Sequence, residues 1–272
     1  MSERISRLAS RFSALKAANK KALIPYITAG DSNPAITVPL MHAMVEAGAD
    51  VVELGVPFSD PGADGPAIQL ACERALAHNV SLSDVIEMVK TFREQDAETP
   101  VVLMGYLNPI EAMGYEAFAK RASTAGVDAV LTVDMPPEES EDVLKAFRAH
   151  SLDTVFLVSP ESTLERFRMI AKNSSGFIYY VSLKGVTGVK DIDTNAVAEK
   201  MAEFRKETDL PIGVGFGIKD AKTAADTAKL ADAVIVGSAI VRRIEASQDN
   251  QEKIIDDIKG FLSELRIAID SI

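Results

Sequence analysis

The strongest constraint in this sequence is an alternation that occurs eight times. A segment of four to six apolar, mostly β-branched residues runs into a turn rich in Gly, Pro, Asp or Ser, and a stretch with apolar residues at helical spacing follows. The extended segments are 23–28, 51–54, 101–104, 129–133, 154–158, 177–182, 212–215 and 233–236. An amphipathic helix built on Ile5, Leu8, Ala9, Phe12 and Leu15 precedes them and runs to about Ala18. Short strands that are apolar on both faces belong to a parallel sheet covered by helices, and right-handed crossovers repeated without a linker close such a sheet into a barrel. The expected fold is therefore α/β, a single (β/α)8 TIM barrel spanning 1–272 with an extra N-terminal helix. A doubly wound sheet in two halves is the alternative.

The spacing predicts two helical stretches after the second strand, 68–77 and 82–93, the latter capped by Ser81 or Ser83. The run Gly105-Tyr106-Leu107-Asn108-Pro109 reads as a stop after the third strand, and 240–268 as one closing helix. Ala47-Gly48-Ala49-Asp50, Ala125-Gly126-Val127-Asp128 and Leu230-Ala231-Asp232 echo one another at the helix-to-strand junction, where Gly48 and Gly126 suit a left-handed helix end.

Charge and composition exclude several functions. A net charge of −11 and a pI near 4.9 do not suit nucleic acid or an anionic membrane surface, both of which need basic clusters. The apolar runs are strand-sized and the first residues lack the apolar core of a signal peptide, so the expected location is the cytoplasm. The lone Cys72 reads as a small core residue. His42, His78 and His150 fall in or at the ends of outer helices without ligand spacing, so no metal is expected.

In a barrel the chemistry lies at the C-terminal ends of the strands. Glu53 sits near the end of the second strand, where an ionised side chain is costly unless paired or functional. Asp64 follows eleven residues later in a Pro- and Gly-rich loop, and the two carboxylates could converge on one pocket. Pairing of Glu53 with a neighbouring Lys or Arg, and a capping or turn role for Asp64, are the bland alternatives. Tyr106, Asp134 and the loop Lys184 to Lys190 fall at the same rim. Gly215-Phe216-Gly217 after the seventh strand and Gly237-Ser238 after the eighth, with Ser238 opening a helix, occupy the positions where barrels hold phosphate. Gly185-Val186-Thr187-Gly188 is a possible third piece of that cradle. Lys184 is the one rim candidate for a Schiff base, but its surroundings offer nothing to depress its pKa. No dinucleotide or P-loop fingerprint stands in its proper setting, which leaves carboxylate acid-base chemistry on a phosphate ester without a cofactor.

Six stretches carry a resemblance: Ile24-Pro25-Tyr26-Ile27-Thr28-Ala29-Gly30-Asp31, Glu53-Leu54-Gly55-Val56-Pro57-Phe58-Ser59-Asp60-Pro61, Ala63-Asp64-Gly65-Pro66-Ala67-Ile68-Gln69, Met104-Gly105-Tyr106-Leu107-Asn108-Pro109, Gly185-Val186-Thr187-Gly188 and Gly215-Phe216-Gly217-Ile218. Together they resemble the motifs of the tryptophan synthase α subunit over essentially the whole chain. The resemblance implies cleavage of indole-3-glycerol phosphate to indole and glyceraldehyde 3-phosphate. It also implies an α2β2 assembly in which indole passes to a β subunit that carries pyridoxal phosphate. It assigns Glu53 as the general acid-base and Asp64 as the second carboxylate. Gly188, Gly217, Gly237 and Ser238 match the phosphate-binding positions, and Tyr26, Ile68 and Tyr179 lie near the indole ring. Thr187 matches a residue that closes over the substrate; Tyr106 and Phe216 complete the expected binding residues. The chain departs from the family at Gly62, where a larger residue is usual, and at Leu183, where some members have arginine. Another phosphate-binding barrel enzyme of tryptophan or histidine synthesis, or a regulatory subunit with little activity of its own, are the alternatives.

Overall fold

The computed structural model describes residues 6–181, 194–215 and 217–272. Helix α1 (Arg7–Ala17) leads into strand β1 (Ala22–Thr28) and helix α2 (Thr37–Glu46), then β2 (Val52–Gly55) with α3 (Pro66–Leu76) and α4 (Leu82–Phe92). Next come β3 (Val101–Gly105), α5 (Leu107–Met113), α6 (Tyr115–Ala125), β4 (Ala129–Thr132), α7 (Glu141–Ala149), β5 (Asp153–Val158) and α8 (Leu164–Asn173). The chain continues through β6 (Ile178–Tyr180), α9 (Thr194–Phe204), β7 (Ile212–Val214), α10 (Ala221–Ala228), β8 (Ala233–Val236), α11 (Ser238–Ala246) and α12 (Gln251–Asp270). The eight strands pair in sequence order, all parallel, and β8 closes on β1, so the doubly wound alternative falls away.

Two cores result from the period-2 alternation of each strand. Residues facing outward, such as Leu23, Val52, Leu103 and Val130, pack with the surrounding helices. Those facing inward, including Ile24, Val51, Val102, Leu131, Val155 and Ile235, fill the barrel together with Leu8, Phe12 and Leu15. Helix α1 therefore closes the N-terminal mouth, with the Phe12 and Phe177 rings 5.9 Å apart. Its N-cap Ser6 donates to Asp153 at 2.5 Å.

The sequence echo turns out to hold this end of the barrel. Asp50, Asp128 and Asp232 each accept an N–H from the start of the preceding strand, from Leu23, the second residue of β1, at 2.8 Å, and from Val101 and Ile212, the first of β3 and β7, at 2.9 Å each. Each also pairs with arginine: Asp50 with Arg11 and Arg266, Asp128 with Arg7 and Arg93, Asp232 with Arg205. Gly48 (φ 100°) and Gly126 (φ 96°) take the left-handed conformation expected of them.

Two local expectations are corrected. The stretch after β3 ends the strand at Gly105 as expected but also starts α5, a helix not expected from the sequence, because Pro109 falls in the first turn, where a missing N–H has no intrahelical partner to lose. Asp134 accepts the Leu107 N–H at 2.8 Å and caps that helix. The closing helix is broken at 247–250, where Asn250 accepts the Lys253 N–H at 3.0 Å and starts α12 afresh. The Ser81 cap is present as a full capping box with Asp84.

Candidate active site

Glu53 lies on the inner face of β2, in register with Tyr26 on β1 and Val102 on β3. It is fully buried, and among the described residues neither carboxylate oxygen has a hydrogen-bond partner. No Lys or Arg among the described residues pairs with it. Burial, with a smaller contribution from the Asp64 charge, pushes the Glu53 carboxyl up to about 8. At neutral pH it is an acid with a proton to give.

Asp64 reaches the same pocket from the loop between β2 and α3. The loop is tightened by Gly62 N–H to Asp60 O at 2.8 Å and Asp64 N–H to Pro61 O at 3.0 Å. The Gln69 amide of α3 donates to Asp64 O at 2.9 Å. The Tyr106 hydroxyl accepts the Ala63 N–H and donates to Asp64 Oδ2, both at 3.0 Å. The Phe58 ring stacks on Tyr106 with centroids 5.0 Å apart, so one tyrosine grips the loop at both ends. Asp64 does not cap α3, whose N-cap is Gly65 without a side-chain bond. Burial raises the Asp64 carboxyl to about 6 against the lowering effect of the Tyr106 bond, which leaves it predominantly ionised at neutral pH.

Two tyrosines form walls on either side. Tyr26 is buried, bonds Thr28 Oγ1 at 3.0 Å and leans over Gly55, where an added Cβ would lie 2.2 Å from the tyrosine oxygen. Tyr179 leans over Gly215 in the same way, also with 2.2 Å between oxygen and added Cβ. Gly215 is therefore glycine because of Tyr179, which removes it from the phosphate argument. The pKa of each tyrosine is raised well above the ordinary value, first by burial and then by nearby carboxylate charge, led by Asp64 at Tyr26 and by Glu53 at Tyr179. Ile68 packs with Tyr26, Ala71, Val241 and Met104 into one apolar wall. Met104 was not singled out from the sequence, although its inward place on β3 follows from counting alternate residues from Val102.

Of the residues expected to hold phosphate, Gly217 stands at φ 67° and Gly237-Ser238 at the start of α11. Gly237 has no side-chain cap to offer, and an added Cβ there would sit 3.6 Å from the Tyr26 ring, so the cradle adjoins the ring side of the pocket. Thr187, Gly188 and Phe216, with Leu183 and Lys184, lie outside the described residues.

Among the described residues no group of three or more His, Cys, Asp or Glu is arranged to hold a metal. His42 stacks on Phe92, His78 bonds Ser32 O and His150 meets Glu116, all on the outer helical layer. Cys72 is buried on α3. No helix among these residues is long and apolar enough to cross a membrane.

The sequence model of the family described as Tryptophan synthase alpha chain matches residues 12–270. A tryptophan synthase alpha chain from Thioalkalivibrio sulfidiphilus is 63% identical over 98% of this chain and 100% of its own. One from Nitrosococcus oceani is 56% identical over 98% of each. Among solved structures, tryptophan synthase subunit alpha from Legionella pneumophila superposes with a TM-score of 0.93 at 45% identity, covering 99% of this chain and all of that one. A Mycobacterium tuberculosis tryptophan synthase chain gives 0.87 at 36% identity, covering 98% and 99%.

Proposed function

The chain belongs to the tryptophan synthase alpha chain family, and we propose that Glu53 and Asp64 perform its chemistry. It is a lyase that cleaves indole-3-glycerol phosphate by a retro-aldol reaction into indole and glyceraldehyde 3-phosphate. The observation that carries the assignment of roles is the buried Glu53, without a hydrogen-bond partner among the described residues, beside an Asp64 held by Tyr106.

Protonated Glu53 gives its proton to C3 of the indole ring, which makes the ring a leaving group. Positive charge gathers on the ring nitrogen, and ionised Asp64 accepts the hydrogen bond of that N–H. Ionised Glu53 then removes the proton from the hydroxyl on the carbon attached to C3. The C–C bond breaks, its electron pair returns to the ring, and the carbonyl of glyceraldehyde 3-phosphate forms. Glu53 ends protonated, as it began.

Tyr26, Ile68 and Tyr179 line the ring side, and Gly217, Gly237 and Ser238 bind the phosphate, with the α11 N-terminus supplying N–H groups and its positive dipole end. Tyr106 acts through Asp64. Thr187, Gly188 and Phe216 complete the substrate site by family resemblance. The whole of 1–272 is one domain in this reading, and its partner is a tryptophan synthase β subunit in an α2β2 assembly. Pyridoxal phosphate belongs to that partner; the step in this chain needs proton transfers and charge stabilisation alone. Indole release from indole-3-glycerol phosphate, measured with and without β subunit, tests the reading. Absence of indole in both would overturn it.

A further inference from the structure

Behind the pocket wall lies a charged cluster that the reaction does not use. Asp31, three residues past the end of β1, has a side chain wholly excluded from solvent. Arg74 of α3 grips it with both arms, Nε to Oδ1 at 2.6 Å and Nη2 to Oδ2 at 3.0 Å. The remaining Arg74 nitrogen, Nη1, reaches Glu245 of α11 at 3.2 Å. Burial raises the Asp31 carboxyl while the guanidinium pulls it back down, as expected of an ion pair removed from water.

The three elements joined here each carry part of the site. Strand β1 carries Tyr26, helix α3 continues directly from the Asp64 loop, and α11 begins at Ser238. Ala71 of α3 meets Tyr26 and Val241 of α11 in the apolar wall. Arg74 and Glu245 lie one turn further along each helix, so the guanidinium ties the same junction from behind. Planar, two-armed recognition fixes orientation as well as distance, which a flexible lysine does not do.

We propose that Arg74 is a positioning residue that sets the separation between the carboxylate half of the site and its phosphate half. A substrate that must touch both halves at once is sensitive to a shift of α11 against α3; a ligand that occupies one half is not. The inference rests on the phosphate and carboxylate roles proposed above.

The test compares the wild-type chain with Arg74→Lys and Glu245→Gln, in complex with β subunit. It measures KM and kcat for indole-3-glycerol phosphate, and Ki for inorganic phosphate as a probe of the cradle alone. We expect KM to rise about 10-fold for Arg74→Lys and a few-fold for Glu245→Gln, with kcat changed less, because sub-ångström misplacement already weakens a spanning ligand. Ki for phosphate should stay where it is. Glu245 is part-exposed and its variant keeps the Arg74–Asp31 pair, so it decides the matter if Arg74→Lys does not fold. An unchanged KM in the folded variants, or a Ki that moves with KM, would overturn the proposal. A wild-type complex that neither releases indole nor is inhibited by phosphate would instead overturn the reading of the site on which it rests.

Discussion

The Tyr106 hydroxyl donates to Asp64 Oδ2 at 3.0 Å while it accepts the backbone N–H of Ala63 at the same distance. A single oxygen thus orients the carboxylate and the backbone that delivers it. Asp64 depends for its place on a residue of β3's following turn, far from it in sequence.

Tyr106→Phe keeps the ring that stacks on Phe58 and removes only the hydroxyl. Turnover is expected to fall by about 10-fold, the scale for losing one hydrogen bond to a charged group. Because that bond lowers the Asp64 pKa, its loss should also move the acid limb of the pH–rate profile above about 6. A profile that keeps its acid limb would show that Tyr106 does not act through Asp64.

The proposed mechanism needs Glu53 protonated and Asp64 ionised. The kcat/KM profile of the wild type should therefore be bell-shaped, with apparent limbs near 6 and 8 that belong to the interacting pair. Glu53→Gln keeps the shape of the side chain but cannot transfer the proton, and indole formation should drop by roughly 10² to 10⁴. Near wild-type turnover in that variant would remove Glu53 from the mechanism.

The same residue makes the fold sensitive to pH. Glu53 ionises near 4.5 in an unfolded chain and near 8 when folded, so the folded state holds the proton more tightly. Its contribution is fully present below about 4.5 and is lost as pH rises through about 8, a change on the order of a few kcal/mol. Thermal melts of Glu53→Gln and wild type should diverge in the variant's favour between pH 5 and pH 9. Parallel melting curves across that range would contradict the burial argument.

Gly62 is absent from the positive-φ residues, and a Cβ there would meet nothing within 4 Å. Gly62→Leu is therefore open to the loop without strain, and it removes freedom from the segment that carries Asp64. The isolated chain should gain activity, and the activation by β subunit should shrink. An activation ratio equal to that of the wild type would rule out a role for loop freedom in activation by the β subunit.

Gly237 offers the cleanest probe of the phosphate cradle. Its φ of −115° and the 3.6 Å spacing to Tyr26 leave room for a Cβ, whereas any side chain at Gly217 meets a φ of 67°. Gly237→Val should raise KM for the phosphate ester about 10-fold and lower kcat less. Dephosphorylated indole-glycerol should be a poor substrate for both forms; equal efficiency with and without phosphate in the wild type would dispose of the cradle.

The sequence by itself determined the barrel, because a period of 2 followed by a period of 3.6, eight times over, has few ways to bury its apolar faces. It also singled out Glu53, as a charge on a strand with no apolar excuse, and the glycines that precede β2 and β4. Local rules misjudged α5 and the break before α12. Pro109 ends a helix or opens one according to its position in the first turn, and Asn250 starts a helix only where its side chain meets the Lys253 N–H. What the tertiary structure alone decided are relationships between residues distant in the chain: Tyr106 on Asp64, Tyr179 over Gly215, Arg74 between Asp31 and Glu245. Periodicity reports which face a side chain takes, but a hydrogen bond or a close approach depends on distances across strands, and those exist only once the barrel has closed.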